Sequence, residues 1–177
     1  MSSVTVPFPQ LVDQCEAEGL TPINCTKIAA ELAKTFGVFE DEVAILMVVN
    51  NAYLKFKYPP KLVDVGIIPL SNTGSTAVRT VSSKRPEILN NFTQVKHASI
   101  FEAVPVASKA RSMQSKGKAA NSIQKMMSAP VTGPGGVIGV IQVSRKGTSP
   151  QVAGADFTPA DLQKLVTSAN LLAKCFK

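Results

Sequence analysis

The chain has no tryptophan, two tyrosines, one histidine and three cysteines in 177 residues. One histidine gives a nucleophilic triad a single candidate base and leaves a histidine-based metal site short of ligands. Three cysteines, odd in number and scattered at Cys15, Cys25 and Cys175, argue against a disulfide framework and for a reducing compartment. A cytoplasmic protein is therefore expected. No apolar run reaches the ~18 residues of a membrane span. Met1 to Pro9 lacks the basic-then-apolar order of a secretory leader, so none is expected.

What is present suits one domain over residues 1–177 with an aliphatic core, since 45% of residues are hydrophobic and only 6% aromatic. Val137 to Val143 is a nearly unbroken β-branched run, which fits a strand covered on both faces and hence a central one. Val43 to Val49 has the same character. Ile123 to Val131 alternates, with Ile123, Met127, Ala129 and Val131 expected on one side. Thr132 to Gly136 then reads as the turn of a long hairpin. Pro130 cannot donate to a ladder, which predicts a bulge or an unpaired position there. Thr158-Pro159-Ala160-Asp161 opens the best helix of the chain, with a cap, a proline at the first position and an acid three residues on.

Towards the N-terminus, a helix over about 8–18 stops at Gly19, and a second opens at Thr21-Pro22 and stops at Gly37. Cys15 and Cys25 lie on their apolar faces and read as buried structural thiols. Tyr53 to Tyr58, with one wet face and a Pro59-Pro60 stop, has the features of a sheet margin. A short strand is expected around Val65 to Ile68, a helix over Thr76 to Ser83, a strand over Glu87 to Asn91 and a helix over Gln94 to Val104. Gly147 to Ala155 reads as a loop. Antiparallel hairpins among helices define an α+β class, a single sheet with helices packed on it.

Charge is unevenly placed. Ile88 to Lys146 holds eight basic residues (Lys96, Lys109, Arg111, Lys116, Lys118, Lys125, Arg145, Lys146) against Glu102 alone, and the remainder carries eleven of each sign. The surplus invites an anionic ligand nearby, but a solvated flexible loop over about 105–122 is the favoured reading. Nucleic acid is disfavoured, because no aromatic residue lies between Pro105 and Ser122 for base stacking. Glu40-Asp41-Glu42 reads as a solvated charge run rather than a metal site. Gly133-Pro134-Gly135-Gly136 precedes a strand and lacks Gly-Lys-Ser/Thr, so it is a turn and not a phosphate loop. Asn72-Thr73-Gly74-Ser75 opens a helix, where simple capping is favoured over reception of an anion near Arg79 or Arg85.

Several segments together resemble one family. Pro69-Leu70, Gly74 to Val81, Arg85 to Phe92, Ser122 to Val131, Val137 to Val143 and Phe157 to Asp161 are similar, in order and spacing, to GAF domains over roughly Thr21 to Phe176. The resemblance implies a GAF/PAS-like central antiparallel sheet of five or six strands, its first and last strands adjacent in the middle. Terminal helices would lie on one face, and short helices and loops would cover the other. It further implies a small-molecule pocket under a cover at Thr76 to Val104. The ligand-facing candidates are Val78, Asn90, Asn91, Phe92, His97, Phe101, Ile123 and Met127. The cyclic-nucleotide signature of the family is missing. So are pocket cysteines of the kind used for bilins or for methionine sulfoxide reduction.

The expected function is a non-catalytic sensory module that binds a small ligand and signals through a homodimer of its N- and C-terminal helices. Phe8, Leu11, Leu165, Leu172 and Phe176 are the residues expected to supply surplus apolar surface for pairing. The alternative is a protein-interaction or dimerisation scaffold whose pocket is filled by its own side chains. No catalytic residue and no metal ligand is expected, since a lone His97 beside Lys96 and Ser99 reads as a surface or lid residue.

Overall fold

The computed structural model describes residues 7–64, 67–92 and 122–176. The first helix, α1 (Pro7–Glu18), stops at Gly19 with φ 83°, and α2 (Pro22–Phe36) follows. Thr21 caps α2 by accepting from Asn24 N at 3.1 Å, and Gly37 ends it in the left-handed region at φ 66°. A 3-10 turn at Glu40–Glu42 leads into β1 (Val43–Val49). Asn50 and Asn51, at φ 53° and 54°, form the tight turn to β2 (Tyr53–Tyr58), a conformation asparagine tolerates. Then come α3 (Pro60–Val63), β3 (Ile67–Pro69), α4 (Thr76–Ser83) and β4 (Glu87–Leu89). After residue 121 follow β5 (Ser122–Gly133), β6 (Gly136–Gly147), α5 (Pro150–Ala153) and α6 (Pro159–Leu172), closed by a 3-10 turn at Ala173–Cys175.

The six strands form one sheet in the order β3-β2-β1-β6-β5-β4, with every pairing antiparallel. β1 and β6 are the middle strands, as their two apolar faces predict; Ile45 sits opposite Ile141. One face is covered by α1, α2 and α6, whose Val12, Ile28, Leu32, Leu165 and Leu172 pack on Val43, Ile45, Ile141 and Val143. The other face carries Ala44, Leu46, Phe56 and Val140 beneath α3 and α4, with Phe92 in the same cluster. We call these the helix side and the cover side. Gly139 shows how tight the helix side is: a Cβ there would meet the Phe176 ring and stand 2.6 Å from Leu46 O.

Several expectations need correction. β2 is second from the margin, because β3 pairs with its Tyr53, Leu54 and Lys55. Pro130 keeps its place opposite Val140, and the irregularities fall between Ile123 and Lys125 and between Val131 and Thr132. The hairpin strands run on to Gly133 and Gly136, leaving only Pro134 and Gly135 as the turn. α5 occupies part of the 147–155 loop, capped by Ser149, whose hydroxyl accepts from Val152 N. Glu42 is buried rather than solvated: its carboxylate accepts from Phe39 N at 2.8 Å and from Lys146 N at 2.6 Å. The expected helix at Gln94 to Val104 and the loop over 105–121 lie outside the described residues.

Candidate functional site on the cover side

α4 crosses the cover side over β5 and β6. Ser75 fixes its start by accepting from Val78 N at 3.3 Å. Thr76 and Thr80, four residues apart, share one helical face. That face meets the sheet, because Thr80 Oγ1 lies 2.7 Å from Ser128 Oγ on β5. Gln142 on β6 donates to the same Ser128 oxygen at 3.2 Å, and Thr80 Oγ1 donates to Thr76 O at 3.0 Å. Each hydroxyl has one proton, so the directions are fixed: Gln142 gives to Ser128, Ser128 to Thr80, and Thr80 to the helix carbonyl.

All four residues are buried, at 0–2% exposure. Such neutral groups hold their place in an apolar interior only when bonded, since an unmade hydrogen bond there costs about 1–3 kcal/mol. Thr76 Oγ1 is the exception, buried and without a partner among the described residues. The cationic group of α4, Arg79, is committed to Glu87 on β4 by bonds of 3.3 and 3.2 Å. Among the described residues, this part of the cover side is therefore an uncharged, hydrogen-bonding floor within an apolar surround of Leu46, Phe56, Val78, Phe92 and Met126.

The eight expected ligand-facing residues do not all converge. Val78, Phe92 and Ile123 are buried together on the cover side. Met127 belongs to the opposite face, among the residues under the terminal helices. The expectation that Ile123 and Met127 share a side fails because Gln124 is an extra residue in the β5–β6 ladder; one inserted residue reverses every side chain before it. Gln124 is held in that position by donating to Gly147 O at 2.9 Å. Asn91 is exposed. Asn90 faces the loop before α6: its side chain donates to Phe157 O at 3.1 Å and accepts from Phe157 N at 2.9 Å. His97 and Phe101 lie outside the described residues. Sequence reasoning missed Thr76, Thr80, Ser128 and Gln142, although polar residues inside two buried strand patterns were the available signal.

The basic surplus is also reinterpreted. Lys125, 5% exposed, donates to Gly154 O and to Asp156 Oδ1, both at 2.7 Å. Arg145 donates to Phe36 O at 3.0 Å and Gly37 O at 3.3 Å, and its guanidinium stacks 4.6 Å from the centre of the Phe157 ring. Lys146 Nζ reaches Asp41 O at 3.5 Å. Lys125 and Arg145 are thus clamps that hold the loop before α6 and the α2 terminus, Lys146 reaches the turn before β1, and the other five of the eight lie outside the described residues.

The thiols stand on the other face. Cys15, Cys25 and Cys175 are free, fully buried and part of the helix-side cluster. Burial pushes Cys25 up to about 11 and Cys175 up to about 12. Among the described residues no group of three or more His, Cys, Asp or Glu side chains could hold a metal ion, and no helix is long and apolar enough to cross a membrane.

A six-stranded antiparallel sheet with terminal helices on one side and a short capped helix over a buried floor on the other defines a single-sheet α+β class. The chain belongs to the GAF domain family, whose model matches residues 24–176. No curated protein matches it. Among solved structures, it is similar to the GAF domain of an Acinetobacter phosphoenolpyruvate-protein phosphotransferase, with TM-score 0.65 and 16% identity over 99% of this chain and 94% of that one. The GAF-B domain of DevS from Mycobacterium smegmatis aligns with TM-score 0.57 and 13% identity over 88% of this chain and 93% of that one. A free methionine-R-sulfoxide reductase from Neisseria meningitidis, solved with its substrate, aligns with TM-score 0.58 and 16% identity over 99% and 91%. At these identities the likeness is one of fold.

Proposed function

We propose that the chain is a non-catalytic regulatory module that holds a small, polar molecule on the cover side, beneath α4. The observation that carries this reading is Thr76 Oγ1, a hydroxyl buried beside a floor whose other polar groups are satisfied. A ligand acceptor there would recover the hydrogen bond that the free protein lacks. Val78, Phe92 and Ile123 supply apolar contact around it. An anionic ligand would need cations other than Arg79, which Glu87 already occupies. Sulfoxide reduction is disfavoured, because all three thiols belong to the helix-side cluster. A screen of thermal stability against nucleotides, amino acids and aromatic metabolites tests the reading. A ligand at a hundred times its Kd should add about 2.7 kcal/mol.

The scaffold alternative is favoured by a different observation, the closure of the Gln142–Ser128–Thr80 chain on itself within a packed apolar cluster. No response from any compound in a broad screen selects it.

In either reading the module pairs through its terminal helices. Leu11, Leu165, Leu172 and Phe176 are core residues, at most 7% exposed, and cannot form that contact; the side chain of Phe8 lies outside the described residues. Among the described residues, Ile23 on α2 and Leu171 on α6, 66% and 45% exposed, are large apolar groups free for it. Light scattering of the protein and of Leu171→Asp decides: a concentration-dependent dimer lost in the variant supports pairing, and a monomer at high concentration removes it.

A further inference from the structure

The thiols converge where α1 meets the last turn of the chain. Cys15 and Cys175 are 160 positions apart in sequence, both are 0% exposed, and both belong to the cluster in which α1 packs on the last turn. Cys175 Sγ also lies 3.7 Å from Val12 O on α1. Cys25 on α2 is buried in the same cluster. We propose that Cys15 and Cys175 form a modification site, closed as an intramolecular disulfide by an oxidant of the peroxide class. The bond would staple α1 to the C-terminal turn.

The chemistry proceeds in two balanced steps. A thiolate attacks one peroxide oxygen, the O–O bond breaks, and a sulfenic acid and hydroxide are produced. The second sulfur then displaces the sulfenic oxygen, the S–S bond forms, and water leaves with the second thiol's proton. Two thiols and one hydrogen peroxide thus give one disulfide and two waters. In the closed protein, burial keeps both thiols protonated and out of reach, so the first step belongs to the state in which α1 has lifted. Lifting breaks a short set of contacts: the buried Leu11, Val12 and Cys15 of α1, the bonds Asn24 and Lys27 donate to Glu18 and Gln14 at 3.0 and 3.5 Å, and the half-exposed Glu16–Lys174 ion pair at 3.6 Å. When α1 returns, it sets the oxidised sulfur against its partner. The reduced chain can open there and the oxidised one cannot, which makes the helix side responsive to oxidant independently of any ligand on the cover side.

The test uses the full chain, reduced, freed of reductant and exposed to hydrogen peroxide at neutral and mildly alkaline pH. Remaining thiols are then alkylated in denaturant and the digest is mapped by mass. The expected product is a monomer lighter by two hydrogen atoms, with the Cys15 peptide linked to the Cys175 peptide and Cys25 alkylated. It should form faster at the higher pH, survive in Cys25→Ala and vanish in Cys15→Ser and in Cys175→Ser. Linkage through Cys25, linkage between chains, higher acids at Cys15 or Cys175 without a crosslink, or three thiols recovered intact would each overturn the proposal. Should a serine variant misfold, the wild-type and Cys25→Ala maps decide alone.

Discussion

On the helix side of the sheet, Val43, Ile45, Ile141 and Val143 pack in one cluster with apolar groups and thiols from α1, α2, α6 and the last turn. On the cover side, the alternate residues of β5 and β6 include Ser128 and Gln142, tied to α4 by directional hydrogen bonds. Among the described residues, every group whose ionisation is clearly displaced, Cys15, Cys25, Tyr58 and Cys175, belongs to the helix-side cluster. The lesson concerns specificity. Non-directional burial supplies most of the stability and tolerates repacking, whereas a polar chain fixes one arrangement and leaves identifiable atoms for recognition. A sheet whose neighbouring residues serve opposite layers can assign the two tasks to its two faces.

The largest expected effect tests the stabilising face. Leu165, fully buried against the sheet from α6, should lose about 2–5 kcal/mol on truncation in Leu165→Ala, from lost transfer energy plus the cavity left behind. Urea unfolding measures it. A loss below about 1 kcal/mol would mean that the helix layer relaxes freely and contributes less than its burial implies.

A smaller effect, of definite sign, distinguishes the faces by pH. Burial raises the three thiols and Tyr58 above their ordinary values, Cys25 to about 11 and Cys175 to about 12. The unfolded chain ionises these groups first, so above the ordinary thiol value of 9.0 it binds fewer protons than the folded one. Stability contributed by these groups is complete below that pH and is lost as pH rises through the folded values. Urea midpoints should therefore fall between about pH 9 and pH 12, and less so in Cys25→Ala. An equal slope in that variant would move the source elsewhere.

Much of this contrast was legible beforehand, and its failures share a cause. Doubly apolar runs identified β1 and β6 as the centre, and Thr158 with Asp161 fixed α6 through a reciprocal cap. Residue type also marked Gly37 as a helix stop. What escaped depends on single inserted residues and on distant partners. The β1–β2 ladder skips Lys57, so Tyr58 joins the helix side although it alternates in sequence with Leu54 and Phe56. Gln124 does the same to Ile123 and Met127. A bulge leaves no mark in a hydrophobic pattern, because the pattern before it and the pattern after it are each regular. Asn90 and Phe157 are 67 positions apart, and Lys125 and Asp156 are 31 apart; nothing local indicates that these pairs meet.

On the cover side, two threonines one turn apart should respond oppositely to the same change. Thr80→Val removes a hydroxyl that accepts from Ser128 and donates to Thr76 O. Ser128 then keeps only the bond it accepts from Gln142, and its own proton has no acceptor, at a cost of about 1–3 kcal/mol. Thr76→Val has nearly the same shape but removes an oxygen that lacks a partner among the described residues. The free protein should be unchanged or gain up to about 1 kcal/mol, because the desolvation penalty of an unmade bond disappears. Urea unfolding of the two variants side by side checks the sign. Loss of stability in Thr76→Val comparable to that in Thr80→Val would show that Thr76 Oγ1 has a partner in solution. If Thr76→Val is instead neutral or stabilising, its thermal response to any compound found by screening becomes the sharper measurement. A ligand that accepts from Thr76 should lose affinity by roughly five- to tenfold, the equivalent of about 1–1.5 kcal/mol for one neutral hydrogen bond. A scaffold with a filled cover side has no such affinity to lose.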